Sequence, residues 1–155
     1  MKNKLGLSDD MLAVVENNLV DYKLTLLDEY FTFNENHRGL EYLKKLHSFL
    51  FSDLYDNAGE LSKDVDSIRE QEAEQLLSNI YESIGYLDYS EALIIINESI
   101  KDIRDMQIFN DGNARTIYAF VMVAMKDHQV ATHQLVCSEE RRNFEISMRT
   151  NQERR

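Results

Sequence analysis

An all-α fold is what this sequence predicts, and three observations carry the prediction. Proline is absent from all 155 residues and only five glycines interrupt them, so helices meet almost none of the residues that break them. Apolar side chains recur at three- and four-residue spacing through most of the chain, the period of a helix with one face in a core. Ser, Asp and Gly stand between those stretches, and these are the residues that start and stop helices.

Ser8 can cap a first helix with Asp9 and Asp10 in its opening turn, and Leu12, Val15, Leu19, Tyr22 and Leu26 fall on one face. Residues 31–38 are polar and irregular, with Asn34 and Asn36 available as caps. A second helix carries Leu40, Leu43, Leu46, Leu50, Phe51 and Leu54 at core spacing. Residues 57–66 lack helical periodicity and read either as a short β-hairpin, with Gly59 the only strong turn residue, or as a solvated loop. Ser67 begins another helix, with Ile68, Leu76, Leu77, Ile80 and Ile84 inward and Gly85 placed to end it. Ser90 caps the next, and its isoleucines, Ile94 and Ile95 among them, cover more than one face, which predicts burial on several sides. Residues 116–126 form the most apolar helix, as expected at the centre of a bundle. Residues 129–137 are weakly periodic, and Ser138 can cap a final helix to about residue 148. No linker or repeat divides the chain, which predicts one domain over 1–155. Its parts are an N-terminal helix and connection (1–38), a core (40–130) holding the 57–66 segment and a loop at 107–115, and a C-terminal helix and tail (138–155).

Composition removes several function classes. No apolar run reaches the length that crosses a bilayer, and no apolar stretch follows the two lysines of residues 1–6 as a secretory signal would need. The expected location is the cytoplasm, without a membrane partner. Cys137 is the only cysteine, so no internal disulfide and no cysteine metal cluster forms, and the thiol reads as a packing residue. A net charge of -11 repels the phosphates of DNA and RNA, which argues against a nucleic-acid partner. The arginines near the C-terminus alternate with glutamates, as on a solvated, salt-bridged helix.

One stretch calls for chemistry: Gln107-Ile108-Phe109-Asn110-Asp111-Gly112-Asn113-Ala114-Arg115-Thr116. It breaks an apolar helical pattern and resumes it at once, so a tight turn must sit in a buried neighbourhood. Asn-Asp-Gly-Asn tolerates left-handed backbone, and amides in such a turn converge on an anion at the start of the following helix. Asp111 adds a hard oxygen ligand and Arg115 a fork of donors. These residues describe either a polyphosphate cradle or a plain helix-turn-helix joint closed by glycine.

The same stretch resembles the Fic family signature H-x-F-x-D/E-G-N-G-R-x-x-R, with Phe109, Asp111, Gly112, Asn113 and Arg115 in register. A second block, His47-Ser48-Phe49-Leu50-Phe51 with Asp53-Leu54-Tyr55-Asp56-Asn57-Ala58-Gly59-Glu60, resembles the family's I-H-x-x-L-F-x-D-I-Y-x-W-A-G-E segment. The resemblance spans about residues 40 to 130. It implies a Fic-like helical bundle in which residues 57–66 form a hairpin flap that holds a target protein. It further implies AMP transfer from ATP to a protein hydroxyl, with Asp111 as the Mg²⁺ ligand, Gly112, Asn113 and Ala114 as the phosphate cradle, Arg115 as the phosphate clamp and Phe109 as the anchor of the loop. An antitoxin or other regulatory partner is also implied.

Three departures from the signature alter that expectation. Gln107 stands where the family has its general-base histidine, and an amide accepts no proton near neutral pH. Ala114 replaces a glycine, which would strain the loop if that position needed a positive φ. Tyr118 replaces the second arginine. The expected function is therefore that of an impaired or inactive adenylyltransferase relative. The alternatives are a partner-binding module without catalysis, or a phosphate site with other chemistry. The family's inhibitory pattern, Ser or Thr four residues before a Glu that precedes Gly or Asn, is matched at Glu16-Asn17 but not at Leu12. With Tyr118 offering no charge, Glu16 reads as an ordinary surface or helix-pair residue. His47 reads as a structural histidine, and His128 and His133, five apart, as surface residues. Tyr81, Tyr86 and Tyr89 read as core and rim packing at a helix junction.

Overall fold

The computed structural model describes residues 3–27, 39–86 and 90–128. Within them the chain forms five helices: α1 (Asp9–Thr25), α2 (Leu40–Phe51), α3 (Ser67–Ile84), α4 (Ser90–Met106) and α5 (Asn113–Asp127). The all-α expectation holds. No helix of the described residues is long and apolar enough to cross a membrane. The expected C-terminal helix, His133 and Cys137, the polar stretch 31–38 and Tyr89 lie outside the described residues.

α5 is the central rod. It packs against α2, α3 and α4, and its side chains are buried except at Tyr118, Met122, Lys126 and Asp127. α3 and α4 lie side by side as the most extensive pair, and α1 packs on α2. Tyr42, Leu43, Leu46, Leu50 and Phe51 of α2 meet Ile117, Phe120, Val121 and Val123 of α5 in one continuous core.

Helix ends follow the sequence signals with informative exceptions. Ser8 caps α1 by accepting from the Met11 amide, and Asp66 caps α3 by accepting from the Arg69 amide at 2.8 Å. Gly39 offers α2 no side chain, and Glu74 of α3 caps it from across the bundle, its Oε2 2.9 Å from the Leu40 amide. Arg69 donates through Nη2 to the carbonyl of Met106 and so closes the C-terminal end of α4.

Three expectations need correction, and of the two readings of residues 57–66 the loop holds. Ile68 is 65% exposed in the first turn of α3, because at 3.6 residues per turn it lies on the side of the helix away from Ala73, Leu77, Ile80 and Ile84. Ile94 and Ile95 face outward, since α4 packs on α3 and α5 but has no described cover on its other side. The inner face of α1 is Leu12, Glu16 and Val20, and Tyr22 is 61% exposed. Residues 57–66 hold no strand: they run as turns and extended loop, and a single main-chain bond from the Ser62 amide to the Ile108 carbonyl, 2.8 Å, ties them to the 107–112 turn. A hairpin needs two alternating runs about a paired turn, and this stretch has one glycine and three scattered apolar residues, Ala58, Leu61 and Val65.

Candidate functional site

The loop between α4 and α5 is shaped by two left-handed residues. Gln107 has φ 51° and is the only non-glycine with positive φ among the described residues. A left-handed residue just past a helix closes its last turn. Here the Gln107 amide donates to the Arg104 carbonyl at 3.2 Å, and its Nε2 donates to the same oxygen at 3.0 Å. Gly112, at φ 77°, then swings the chain into α5. A Cβ at Gly112 would stand 2.5 Å from Cε2 of Phe51, so position 112 is bound to glycine by both its backbone angle and its neighbour.

Side chains of the loop hold its shape. Oδ1 of Asn113 accepts from the Phe109 amide at 2.9 Å, while Nδ2 donates to the Phe109 carbonyl at 2.9 Å and to Oε1 of Gln107 at 3.4 Å. Asp111 Oδ1 accepts from the Gly112 amide at 2.8 Å. The Thr116 hydroxyl donates to the Gly112 carbonyl at 2.7 Å. The Gly112 amide, expected in the phosphate cradle, is therefore satisfied internally, as is that of Phe109, the loop's anchor. Gly112 supplies no side-chain cap to α5, whose first turn lies buried at Asn113, Ala114 and Arg115.

His47 braces the loop from α2. Its Nδ1 accepts from the Gly59 amide at 2.8 Å, so the proton sits on Nε2, which donates to the Asp111 carbonyl at 2.8 Å. The ring stacks on Phe109 with centroids 4.0 Å apart. Burial pushes its pKa below 6.5, with the Arg115 charge acting the same way and the Asp111 contacts opposing. His47 is structural, as its sequence context suggested.

Behind the loop sits a buried polar triad. Arg115, 3% exposed, places Nη2 2.5 Å from Oε2 of Glu16, which is fully buried, and the Tyr55 hydroxyl donates to Glu16 Oε1 at 2.5 Å. The guanidinium also lies over the Phe51 ring, 5.1 Å from its centroid. Arg115 Nε and Nη1 are buried with no hydrogen-bond partner among the described residues. Glu16 is thus no surface residue. Its signal was its spacing, four residues from Leu12 and four from Val20, which puts a carboxylate in the middle of an apolar stripe.

The structure gathers Asp111, Gly112, Asn113, Ala114 and Arg115 into one turn. Ala114 lies inside α5 and carries no positive φ, so its methyl group causes no backbone strain. Gln107 is at the exposed rim of the turn with both ends of its amide engaged. Tyr118, one turn beyond Arg115, is half-buried, and burial, helped by the nearby Asp21, raises its pKa. No group of three or more His, Cys, Asp or Glu among the described residues could hold a metal ion. His128 is half-buried, its Nε2 donating to the Tyr81 carbonyl at 2.9 Å, and so belongs to the packing at the end of α5.

The chain matches no protein-family model and no curated protein sequence.

Proposed function

We propose that this chain is a Fic-type protein whose phosphate site keeps its frame and has lost much of its chemistry. The observation carrying the reading is Arg115: a cation in the first turn of α5, nearly fully buried, with two N–H donors that meet no acceptor among the described residues. Donors at a helix N-terminus without a side-chain cap suit a phosphate. In this reading Arg115 and the first-turn amides of α5 would hold the phosphates of ATP, and Asp111 the Mg²⁺ that would offset their charge. Gln107 accepts no proton, Tyr118 supplies no cation, and Glu16 holds the Nη2 edge that a phosphate would share. A partner-binding module without catalysis is the second reading, favoured by the carboxylate already seated on Arg115.

The test is calorimetric titration of Mg²⁺-ATP into the parent, Glu16→Gln and the pair Gln107→His with Tyr118→Arg, followed by label transfer from ATP to protein. Weak binding by the parent, tighter binding by Glu16→Gln and transfer only by the paired variant are expected, since a positioned base is worth about 10²- to 10⁴-fold. Failure of all three to bind nucleotide would leave the partner-binding reading. Transfer by the parent at the rate of the paired variant would show that Gln107 is no impairment.

A further inference from the structure

The outward side of α1 is apolar and acidic at once, and nothing in the phosphate site uses it. Met11, Val14 and Tyr22 are 55%, 58% and 61% exposed. With Asn18 and Thr25 they follow one face of the helix at three- and four-residue spacing, a strip of about 21 Å at 1.5 Å per residue. Exposed apolar residues scattered singly need no explanation, but a row along one helix marks a contact surface.

At the C-terminal end the strip opens into a cavity of about 350 Å³ between α1 and α5, lined by Asp21, Leu24, Thr25, Leu27, Tyr118 and Met122. It has room for a large apolar side chain with a polar end.

Charge selects the occupant. Asp10 and Asp21 flank the strip and are exposed. The one lysine of α1, Lys23, turns away: its Nζ lies 2.5 Å from Asp53 Oδ2, it donates to the Phe49 carbonyl at 2.8 Å, and its side chain is 12% exposed. Among the described residues, the outer face of α1 therefore carries carboxylates and no cation of its own helix. A second copy of the chain would set these carboxylates against their equivalents, with -11 on each molecule, and like charges across an interface are unfavourable. An anionic lipid surface is disfavoured for the same reason.

We propose that the outer face of α1 is a docking surface for an amphipathic helix of a partner protein. The partner's apolar ridge lies along Met11, Val14 and Tyr22, one side chain enters the cavity beside Tyr118 and Met122, and flanking lysines or arginines meet Asp10 and Asp21. This is the helix-on-face mode of recognition, in which apolar anchors give affinity and charge sets orientation. It does not depend on whether the chain binds nucleotide.

The experiment uses a fluorescein-labelled peptide of leucine and lysine alone, its leucines on one helical face, and a counterpart with glutamate for every lysine. Anisotropy is read at physiological salt on the parent, Val14→Glu, Asp21→Lys and Glu72→Lys, a charge reversal on the exposed side of α3. Circular dichroism checks that all fold, as these side chains are exposed. Saturable binding of the lysine peptide, weakened about tenfold by Val14→Glu and by Asp21→Lys but not by Glu72→Lys, is the expected result. The proposal is overturned by absent saturable binding, by equal binding of the glutamate peptide, by equal weakening in Glu72→Lys, or by either α1 variant binding like the parent.

Discussion

His47 must be uncharged to hold its place, because Nδ1 accepts from Gly59 while Nε2 donates to Asp111. Its pKa lies below 6.5 in the fold and near 6.5 in the unfolded chain. As pH falls through 6.5 the unfolded chain takes up a proton that the folded chain refuses, so stability present above 6.5 declines until the lowered folded value is reached. We predict that His47→Gln flattens the slope of unfolding free energy against pH just below 6.5, measured by urea denaturation; an unchanged slope would refute this role. Gly112 makes a second prediction at this scale. Gly112→Ala should cost about 2 to 4 kcal/mol from left-handed backbone plus overlap with Phe51. In a Phe51→Leu background the overlap is relieved, and the same change should cost only the backbone share, about 1 to 2 kcal/mol. Equal costs in both backgrounds would mean that Phe51 does not restrict the site.

At the scale of elements, helix ends are fastened by neighbours as much as by their own caps. α2 starts at a glycine that caps nothing, and Glu74 reaches from α3 to its first amide. A Cβ on Gly39 would overlap the Glu74 carboxylate, so the glycine makes room for the borrowed cap. Loss of an N-cap costs about 0.5 to 2 kcal/mol, and Glu74→Ala should lower the thermal midpoint accordingly. If it does not, water replaces that carboxylate without loss. At the other end of α3, the hydroxyl of Tyr81 donates to Asp127 of α5. Burial, with the Asp127 charge adding to it, raises the pKa of Tyr42 to about 12.

Across the whole molecule, Glu16 and Arg115 join residues 99 positions apart and fasten α1 to the central helix. Removing one member of a buried ion pair strands the other charge, which costs about 3 to 5 kcal/mol, whereas replacing both with apolar residues is often neutral. Glu16→Ala should therefore destabilise the fold strongly, and Glu16→Leu with Arg115→Met should recover most of the loss in the same denaturant titration. A cost below about 1 kcal/mol, the level of a surface pair, would mean that the pair contributes little to holding α1.

The sequence by itself determined the helices, most of their ends and the turn between α4 and α5, because these depend on spacing, capping residues and glycine placement within a few positions. Asp111, Gly112, Asn113 and Arg115 were legible as one turn for the same reason. Tertiary structure alone decided that Arg115 is neutralised by Glu16 and that Asn113 clips the loop. It also decided that Gln107, and not Ala114, bears a left-handed angle, and that residues 57–66 are held through the Gly59 and Ser62 amides, by His47 and the Ile108 carbonyl, and form no hairpin. Each of those outcomes depends on which distant groups meet in the core, and burial makes a partner obligatory without saying which it is.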